Sequence, residues 1–310
     1  MSRDGFGLWS HAGVELRRVR DTLALIDPAG IGSILDYGCG RGDWSGTLRA
    51  RFPAARITGI DISATAIRKA REAMPDQEFR PFDGARAPYT AGAFDLLFSY
   101  HVLEHVLDID AVVSDMSRLV RPGGWLCIIF PCANPGSLEA NLASSVVEGV
   151  EAGVAGEPRF YFEDAAHLRR MRSDDVIRMF NRNNAVLQNG WFAHQFFGAV
   201  EWITSSGRGF AGTLFAGRRA TGPGAALRLA LLRLTLMPLA MLRDLATVDL
   251  ARPRSRFRRA ALYAVRPMRW LGAVVSKGLE SLAGLEWRYG RRRPNGSAQF
   301  LVFRKRAEPR

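Results

Sequence analysis

The residues best suited to chemistry in this sequence form one short cluster, His101-Val-Leu-Glu104-His105. Two histidines four residues apart on one face of a helix can hold a zinc ion. The glutamate between them can then act as a general base on a zinc-bound water. The pattern is short, so the elements around it must decide between a zinc site and a braced turn.

Five apolar segments before and after this cluster have the length of buried strands. They cover residues 33–38, 55–61, 78–83, 94–99 and 125–131. Helical patterns lie between most of them, at residues 44–52, 63–74 and 110–120, and Ser63 is placed to cap the second of these helices. Strands that alternate with helices predict an α/β fold with a parallel sheet, which binds ligands at the carboxyl ends of its strands.

A glycine-rich turn follows the first predicted strand, in the stretch "LDYGCGRGDW". Glycines there let the backbone turn sharply and approach a ligand closely before a helix begins. Asp61 ends the second predicted strand, where its carboxylate can accept both hydroxyls of a ribose. Asp83 ends the third, within reach of an adenine amino group. We therefore expect three strand ends to meet around one adenosine.

These motifs resemble, in their order, those of class I S-adenosylmethionine-dependent methyltransferases, over residues 30–132. The segments concerned are Asp36-x-Gly38-x-Gly40-x-Gly42, Asp61, "FDGARAPY", "FDLLFSYHVLEHV" and "LVRPGGWLCIIFP". The resemblance implies S-adenosylmethionine as the cofactor and a Rossmann-like, seven-stranded, mostly parallel sheet whose last strand is antiparallel. It also implies a cofactor site formed by Asp36, Gly38, Cys39, Gly40, Gly42, Asp61, Ile62, Asp83, Gly84 and Ser99.

The same resemblance argues against zinc, because "LEHV" after the fourth strand is common in this family and binds no metal. We therefore predict no metal site. Three other interpretations stay open: a zinc peptidase, which lacks an evident distal glutamate ligand; an NAD-dependent dehydrogenase; and an inactive module that only binds the cofactor. A dehydrogenase would need glycine at position 43 for the Gly-x-Gly-x-x-Gly spacing, and this chain has Asp43.

Outside residues 30–132 the remaining organisation is predicted from local sequence patterns together with this resemblance. We expect an N-terminal helical cap (1–30), a methyltransferase core (31–198) with a substrate-lid insertion (133–172), a basic amphipathic helical insertion between strands six and seven (199–295), and a last strand with a basic tail (296–310). Ser173 should cap a helix, and Asn189-Gly190 should turn the chain into the sixth strand. Residues 297–306 should pair antiparallel at the sheet edge.

Charge is distributed unevenly along the chain. The net charge is +13, but residues 1–217 carry −3 and residues 218–310 carry +16. The stretch "AALRLALLRLTLMPLAMLRDLA" looks too short and too charged to span a bilayer. Its leucines and arginines favour either a helical hairpin on an anionic membrane surface (220–292) or a cap with arginines in solvent. No nucleic-acid partner is expected, and the sequence carries no signal for an oligomeric state.

The expected chemistry is methyl transfer to a hydroxyl, that is O-methylation. The acceptor would be a small molecule or a lipid-linked one, and a soluble metabolite is the alternative. Such a reaction needs a general base near neutral pKa, for which His101 and then His167 are the candidates, with Tyr100 orienting the acceptor. Trp9 and Tyr161 could stack on the acceptor. No apolar block resembles a signal peptide, and three cysteines form no disulfide pattern. We expect a cytoplasmic protein, peripheral at the inner membrane surface if the hairpin binds lipid.

Overall fold

A computed structural model describes residues 13–153, 156–247 and 256–307, which divide into two compact units. Unit 1 comprises Met1–Cys132, Ala166–Trp191 and Ala298–Arg310. Unit 2 comprises Ala133–Ala165 and Phe192–Ser297. Trp9 lies outside the described residues, and the domain boundaries given above stay predictions.

In its described residues, unit 1 contains a seven-stranded sheet and five helices. Its strands are β1 (Ser33–Tyr37), β2 (Arg56–Asp61), β3 (Glu78–Pro81), β4 (Phe94–Tyr100), β5 (Val120–Pro131), β8 (Ala185–Ala193), whose last two residues belong to unit 2, and β9 (Ala298–Lys305). Its helices are α1 (Val14–Leu23), α2 (Ser45–Arg51), α3 (Ala64–Ala73), α4 (Ile109–Leu119) and α6 (Ser173–Arg182).

The strand order of this sheet is β3-β2-β1-β4-β5-β9-β8. The pairs from β3 through β5 are parallel, and β9 runs antiparallel to β5. The predicted fold class is therefore confirmed, although β9 lies one place inside the sheet edge. Chain order reverses between β1 and β4, so the carboxyl ends of these two strands lie side by side, where ligands bind in such sheets.

Helix caps agree with the sequence at one of the two predicted positions. Ser63 caps α3, since its side chain accepts a hydrogen bond from the Ala66 amide at 3.2 Å. Ser173, in contrast, is the first residue of α6 and not its cap. Arg172 keeps an extended backbone there and provides no side-chain cap. Helix α4 has a cap of its own in Asp108, which accepts from the Ala111 amide at 2.9 Å.

Two glycine-containing stretches lie within strands, and at one of them, Asn189-Gly190, the sequence wrongly predicted a turn. Pro122-Gly123-Gly124 lies within β5, next to an irregularity in its pairing with β4. Asn189-Gly190 lies within the continuous strand β8. Strand β8 is the outermost strand of the sheet. Glycine weakens a strand without ending it, because it keeps the backbone N–H and C=O that pair with the neighbouring strand.

The core of unit 1 lies between the sheet and its helices. Leu97 from β4 and Val113 from α4 are fully buried in it. The rings of Phe180 and Phe303 stack at 4.5 Å between centroids, which joins α6 to β9. This packing fixes the positions of the strand ends that carry the polar residues.

Unit 2 is mostly helical. Its elements are α5 (Leu138–Ser144), β6 (Val150–Ala152), β7 (Pro158–Phe160), α7 (Phe197–Ser205), α8 (Gly207–Thr213), α9 (Pro223–Thr247) and α10 (Arg256–Gly290), and β6 pairs antiparallel with β7. Helices α9 and α10 approach closely at Gly272, where a Cβ would come within 2.1 Å of the Leu242 carbonyl oxygen. Tyr161 is a core residue of this unit, and its hydroxyl donates to the Leu214 carbonyl at 2.6 Å.

Helix α9 is longer and more continuously apolar than the sequence suggested. By length and composition alone, Pro223–Ala246 could cross a membrane, since its most apolar window has a mean hydropathy of 1.7. Arginines at 228 and 233 do not interrupt the helix, and Pro238 lies inside it. Only 11% of that window is buried within the unit. The expectation that this segment is too short to span a bilayer was therefore wrong, because the helical segment is 24 residues long.

Candidate active site

The turn after β1 is held in place by backbone hydrogen bonds from β2. The amides of Gly38 and Cys39 both donate to the Ile60 carbonyl, at 2.8 and 2.9 Å. Gly38 has a φ of 77°, and a Cβ on it would come within 2.2 Å of Val102 Cγ2. Gly40 has a φ of 55°, and a Cβ on it would meet no described atom within 4 Å, so this part of the loop faces open space.

Asp61 fastens this loop to the end of β2. One carboxylate oxygen accepts from the Gly40 amide at 2.9 Å, and the other accepts from the Ser63 amide at 2.8 Å. Ile62, the next residue, is a large apolar side chain that is 70% exposed. An acid and an exposed apolar surface therefore stand together at the open side of the glycine loop.

The end of β3 lies beside this pair, because β3 is the parallel neighbour of β2. Asp83 accepts a hydrogen bond from the Ala85 amide at 3.0 Å. A Cβ on Gly84 would come within 3.2 Å of Ile62 Cγ2, so the two segments are close. The structure thus brings Asp61, Ile62, Asp83 and Gly84 to one location, as the sequence predicted.

Asp36 provides a buried carboxylate beneath the loop. It is 1% exposed, and its Oδ2 has no hydrogen-bond partner among the described residues. Burial, and then the charges of Asp61 and Asp43, raise the pKa of Asp36 to about 8. A buried oxygen without a partner, close to other acids, suits a ligand that brings hydrogen-bond donors or positive charge.

Cys39 and Ser99 are buried at 6% and 1% exposure. Burial raises the pKa of the Cys39 thiol, so the thiol stays protonated and unreactive. Because both side chains are buried, they offer little surface to a ligand.

His101 follows β4 with an unusual backbone. Its φ is 55°, which is uncommon for a residue other than glycine, and its amide donates to the Ile129 carbonyl at 2.8 Å. Its side chain is 40% exposed, and Nδ1 lies 2.8 Å from Oε1 of Glu104. Burial alone would lower the pKa of His101, but the Glu104 carboxylate raises it above the ordinary value.

Glu104 lies at the centre of a histidine cluster. It is fully buried, and its Oε1 is 3.9 Å from Nε2 of His105. The rings of His105 and His167 are 4.8 Å apart between centroids. Burial alone would raise the pKa of Glu104, but the charges of the three histidines lower it. Sequence reasoning treated Glu104 and His105 as turn braces and did not foresee that His167 joins them.

His167 reaches this cluster because its segment is bonded to the turn after β4. The Leu168 amide donates to the Glu104 carbonyl at 2.8 Å. Nδ1 of His105 lies 2.9 Å from the Ala166 carbonyl oxygen. Residues 101–108 form turns and no helix, so the single helical face of a zinc peptidase motif does not exist here.

Tyr100 is held by the first helix. Its hydroxyl donates to Oε1 of Glu15 at 3.0 Å, and its ring lies 4.7 Å from that of Trp44. Burial, together with the Glu15 carboxylate, raises the pKa of Tyr100 well above its ordinary value. The hydroxyl therefore acts as a neutral hydrogen-bonding group.

Comparison with known proteins identifies the domain that carries this site. The family described as "Methyltransferase domain" matches residues 35–128. Trans-aconitate 2-methyltransferase of Azoarcus sp. (strain BH72) is 36% identical over 115 residues, which cover 37% of this chain and 45% of that protein. The enzyme of the same name from Deinococcus radiodurans is 32% identical over 142 residues, which cover 46% of this chain and 54% of that protein. The chain thus spans about half the length of these relatives.

A solved structure agrees at the level of the fold. The structure described as a sarcosine dimethylglycine methyltransferase from Galdieria sulphuraria has a TM-score of 0.51 and 13% identity, and the match covers 94% of this chain and 86% of that one. These findings favour a methyltransferase over the dehydrogenase and the zinc peptidase. The chain therefore carries a class I S-adenosylmethionine-dependent methyltransferase domain, whose cofactor is S-adenosylmethionine.

Proposed function

We propose that this protein transfers the methyl group of S-adenosylmethionine to an oxygen atom of a small soluble acceptor in the cytoplasm. The observation that carries the proposal is the meeting of the Gly38–Gly42 turn, Asp61 and the buried Asp36 at neighbouring strand ends. The named relatives act on trans-aconitate, a small polycarboxylate, which supports a soluble acceptor over a lipid-linked one.

The residues at the strand ends suit this cofactor. Asp61 would accept the ribose hydroxyls, Ile62 would cover one face of the adenine, and Asp83 would accept from its amino group. Asp36 would supply a buried carboxyl group, and the positively charged end of the cofactor would favour its ionised form. When bound, S-adenosylmethionine supplies a methyl group that its sulfonium already activates. The protein must then align the acceptor and exclude water.

His101 is the proposed general base for a hydroxyl acceptor. Its Nδ1 faces the Glu104 carboxylate, which leaves Nε2 to take a proton, and the side chain is partly exposed at the end of β4. His167 remains the second candidate, and Tyr100 is proposed to orient the acceptor. A carboxylate acceptor already carries its charge and needs no base. His101 is therefore expected to contribute to catalysis only if the acceptor is a hydroxyl group.

One experiment tests both the activity and the acceptor class. S-adenosylmethionine with a radioactive methyl group would be incubated with the full chain and either trans-aconitate or fractions of a small-molecule extract. We expect label in an acidic or hydroxylated metabolite, and we expect Asp61→Ala to lose it. His101→Gln should lower kcat by ~10²-fold or more for a hydroxyl acceptor and much less for a carboxylate. No labelled product from any fraction, despite cofactor binding, would support the inactive binding module instead.

A membrane surface is a second candidate partner, favoured by the exposed apolar residues of unit 2. Leu227, Leu231 and Leu234 of α9 are 56–73% exposed at helical spacing, and Trp270 of α10 is 70% exposed. The positive charge of residues 218–310 complements anionic lipid. Leu279 and Trp287, further along α10, are buried instead.

Flotation with vesicles tests this candidate. The full chain should float with vesicles that contain phosphatidylserine, and Leu231→Glu with Leu234→Glu should abolish flotation. Thr235→Glu serves as the matched control. It places the same negative charge at an exposed position of the same helix without removing one of the exposed leucines. Failure of the wild-type chain to float at low salt would remove the membrane from the proposal.

A further inference from the structure

We propose that Glu104, His105 and His167 form a binding site for a divalent transition-metal ion of the zinc type. In the described part of the chain these three residues are the one group of potential ligands whose donor atoms all lie within 4.8 Å of one another. Two imidazole nitrogens and one carboxylate oxygen are a ligand set that zinc and similar ions accept, with further positions left for water or a substrate. The inference does not depend on methyl transfer.

Burial of Glu104 is the first observation that points to a cation. Its side chain is fully buried, and Oε2 has no hydrogen-bond partner among the described residues. A buried carboxylate is costly unless hydrogen bonds or positive charge compensate it. His101 Nδ1 makes a close contact with Oε1, at 2.8 Å, and no described hydrogen-bond donor contacts Oε2. A cation at this position would compensate the rest of the carboxylate.

The orientation of His105 is the second, independent observation. Nδ1 of His105 lies 2.9 Å from the carbonyl oxygen of Ala166, an acceptor, so Nδ1 must carry the proton. Nε2 then presents its lone pair, and this atom is the one that faces Glu104 at 3.9 Å. A backbone carbonyl that fixes the imidazole in this way is the usual support of a histidine metal ligand.

This ligand set differs from the one that the short motif suggests. The motif would use His101 and His105 as ligands and Glu104 as a base. In the structure Nδ1 of His101 instead lies 2.8 Å from a carboxylate oxygen of Glu104, and the second imidazole comes from His167, sixty-two residues after His105. His101 would thus support a ligand, as residues around metal ions commonly do. The ion would lie at the carboxyl end of β4 and could polarise an oxygen there.

The test measures zinc binding to the tag-free full chain. Protein stripped with a chelator would be titrated with zinc chloride in competition with a chromophoric chelator. We expect one zinc per chain in wild type, and at least ~10-fold weaker binding in each of Glu104→Gln, His105→Gln and His167→Gln. His194→Gln, a histidine of unit 2 outside the cluster, is the matched control and should bind zinc as wild type does.

Binding of S-adenosylhomocysteine with chelator present reports whether each variant is folded and keeps this inference separate from the proposed function. If a variant does not fold, cobalt chloride added to wild type gives a second measurement. Visible absorption bands of a four- or five-coordinate cobalt site, displaced by zinc, would support the site. Wild type that binds no stoichiometric zinc, or folded variants that all bind it as tightly as wild type, would overturn the proposal.

Discussion

Two helices with many apolar residues, α4 in unit 1 and α9 in unit 2, differ in how much of their surface is buried. Seven of the eleven residues of α4 are buried, including Val113 at 0% exposure. Helix α9 has 11% of its most apolar window buried, and Leu234 is 73% exposed. Apolar sequence alone therefore does not show where a helix packs. The difference suggests that α4 stabilises its unit, whereas the outer face of α9 contributes little to stability.

The largest effect should follow from a charge placed in the core at α4. Val113→Glu would bury a carboxylate with no partner in an apolar cluster, which we expect to cost more than ~4 kcal/mol of unfolding free energy and to leave little folded protein. Urea denaturation followed by tryptophan fluorescence would measure it. Stability near that of wild type would mean that α4 is not packed as described.

A smaller but still large effect is expected at the glycine loop. Gly38→Ala combines a left-handed backbone with a clash against Val102, so we expect a loss of about 2–5 kcal/mol of unfolding free energy. Gly40→Ala meets no described atom and should lose only about 1–2 kcal/mol for its backbone conformation. Urea denaturation of both variants measures the difference.

Val102→Ala tests whether the contact with Val102 causes the larger loss of stability in Gly38→Ala. Added to Gly38→Ala, it should restore part of the lost stability, because it removes the atom that the new Cβ meets at 2.2 Å. It should not improve Gly40→Ala. Equal effects on both backgrounds would contradict the close approach of the loop to Val102.

A pH-dependent effect is expected at Asp36. Its folded pKa of about 8 exceeds its ordinary value of 3.8, so the folded state holds a proton that the unfolded state releases. The unfolding free energy of wild type should therefore fall, relative to Asp36→Asn, as pH rises from about 4 to about 8. The slope would be at most ~1.4 kcal/mol per pH unit. Denaturation of both proteins at pH 5, 6, 7 and 8 without ligand measures it, and a constant difference would show that Asp36 is ionised in the fold.

The smallest effect is expected on the outer face of α9. Leu231→Glu should change the unfolding free energy by only about 0.5 kcal/mol, because the side chain is 56% exposed. Leu236→Glu, five residues along the same helix but 1% exposed, is the buried counterpart and should destabilise the protein strongly. Similar losses in both variants would show that the outer face is covered, for instance by a second copy of the chain.

Much of the fold followed from the sequence because local and tertiary signals agree in unit 1. The predicted strands and the Ser63 cap correspond to observed elements, and the acids at strand ends lie where parallel pairing places them. Two local predictions were wrong. Asn189-Gly190 continues a strand in place of forming a turn, and Ser173 begins helix α6 in place of capping it, because the pairing and packing of the whole fold outweigh local residue preferences.

The position of His167 in the histidine cluster could not be predicted from the sequence. "HVLEH" indicates that polar groups gather after β4, but nothing in the sequence around His167 links it to that turn. The link depends on the backbone bonds from Leu168 to Glu104 and on the position of Ala166 against His105, which only the fold determines. The residues proposed to hold the cofactor, in contrast, were predicted from motifs, and their roles stay proposals.

The central claim is that the strand ends of unit 1 bind an adenosine cofactor through Asp61 and the glycine loop. Calorimetric titration of the full chain with S-adenosylhomocysteine, with NAD as the comparison ligand and Asp61→Ala as the variant, tests it most directly. We predict binding of S-adenosylhomocysteine with a Kd on the order of micromolar, none of NAD, and a loss of about 10- to 100-fold in the variant. Equal binding by wild type and variant, or no binding of S-adenosylhomocysteine at all, would contradict the claim.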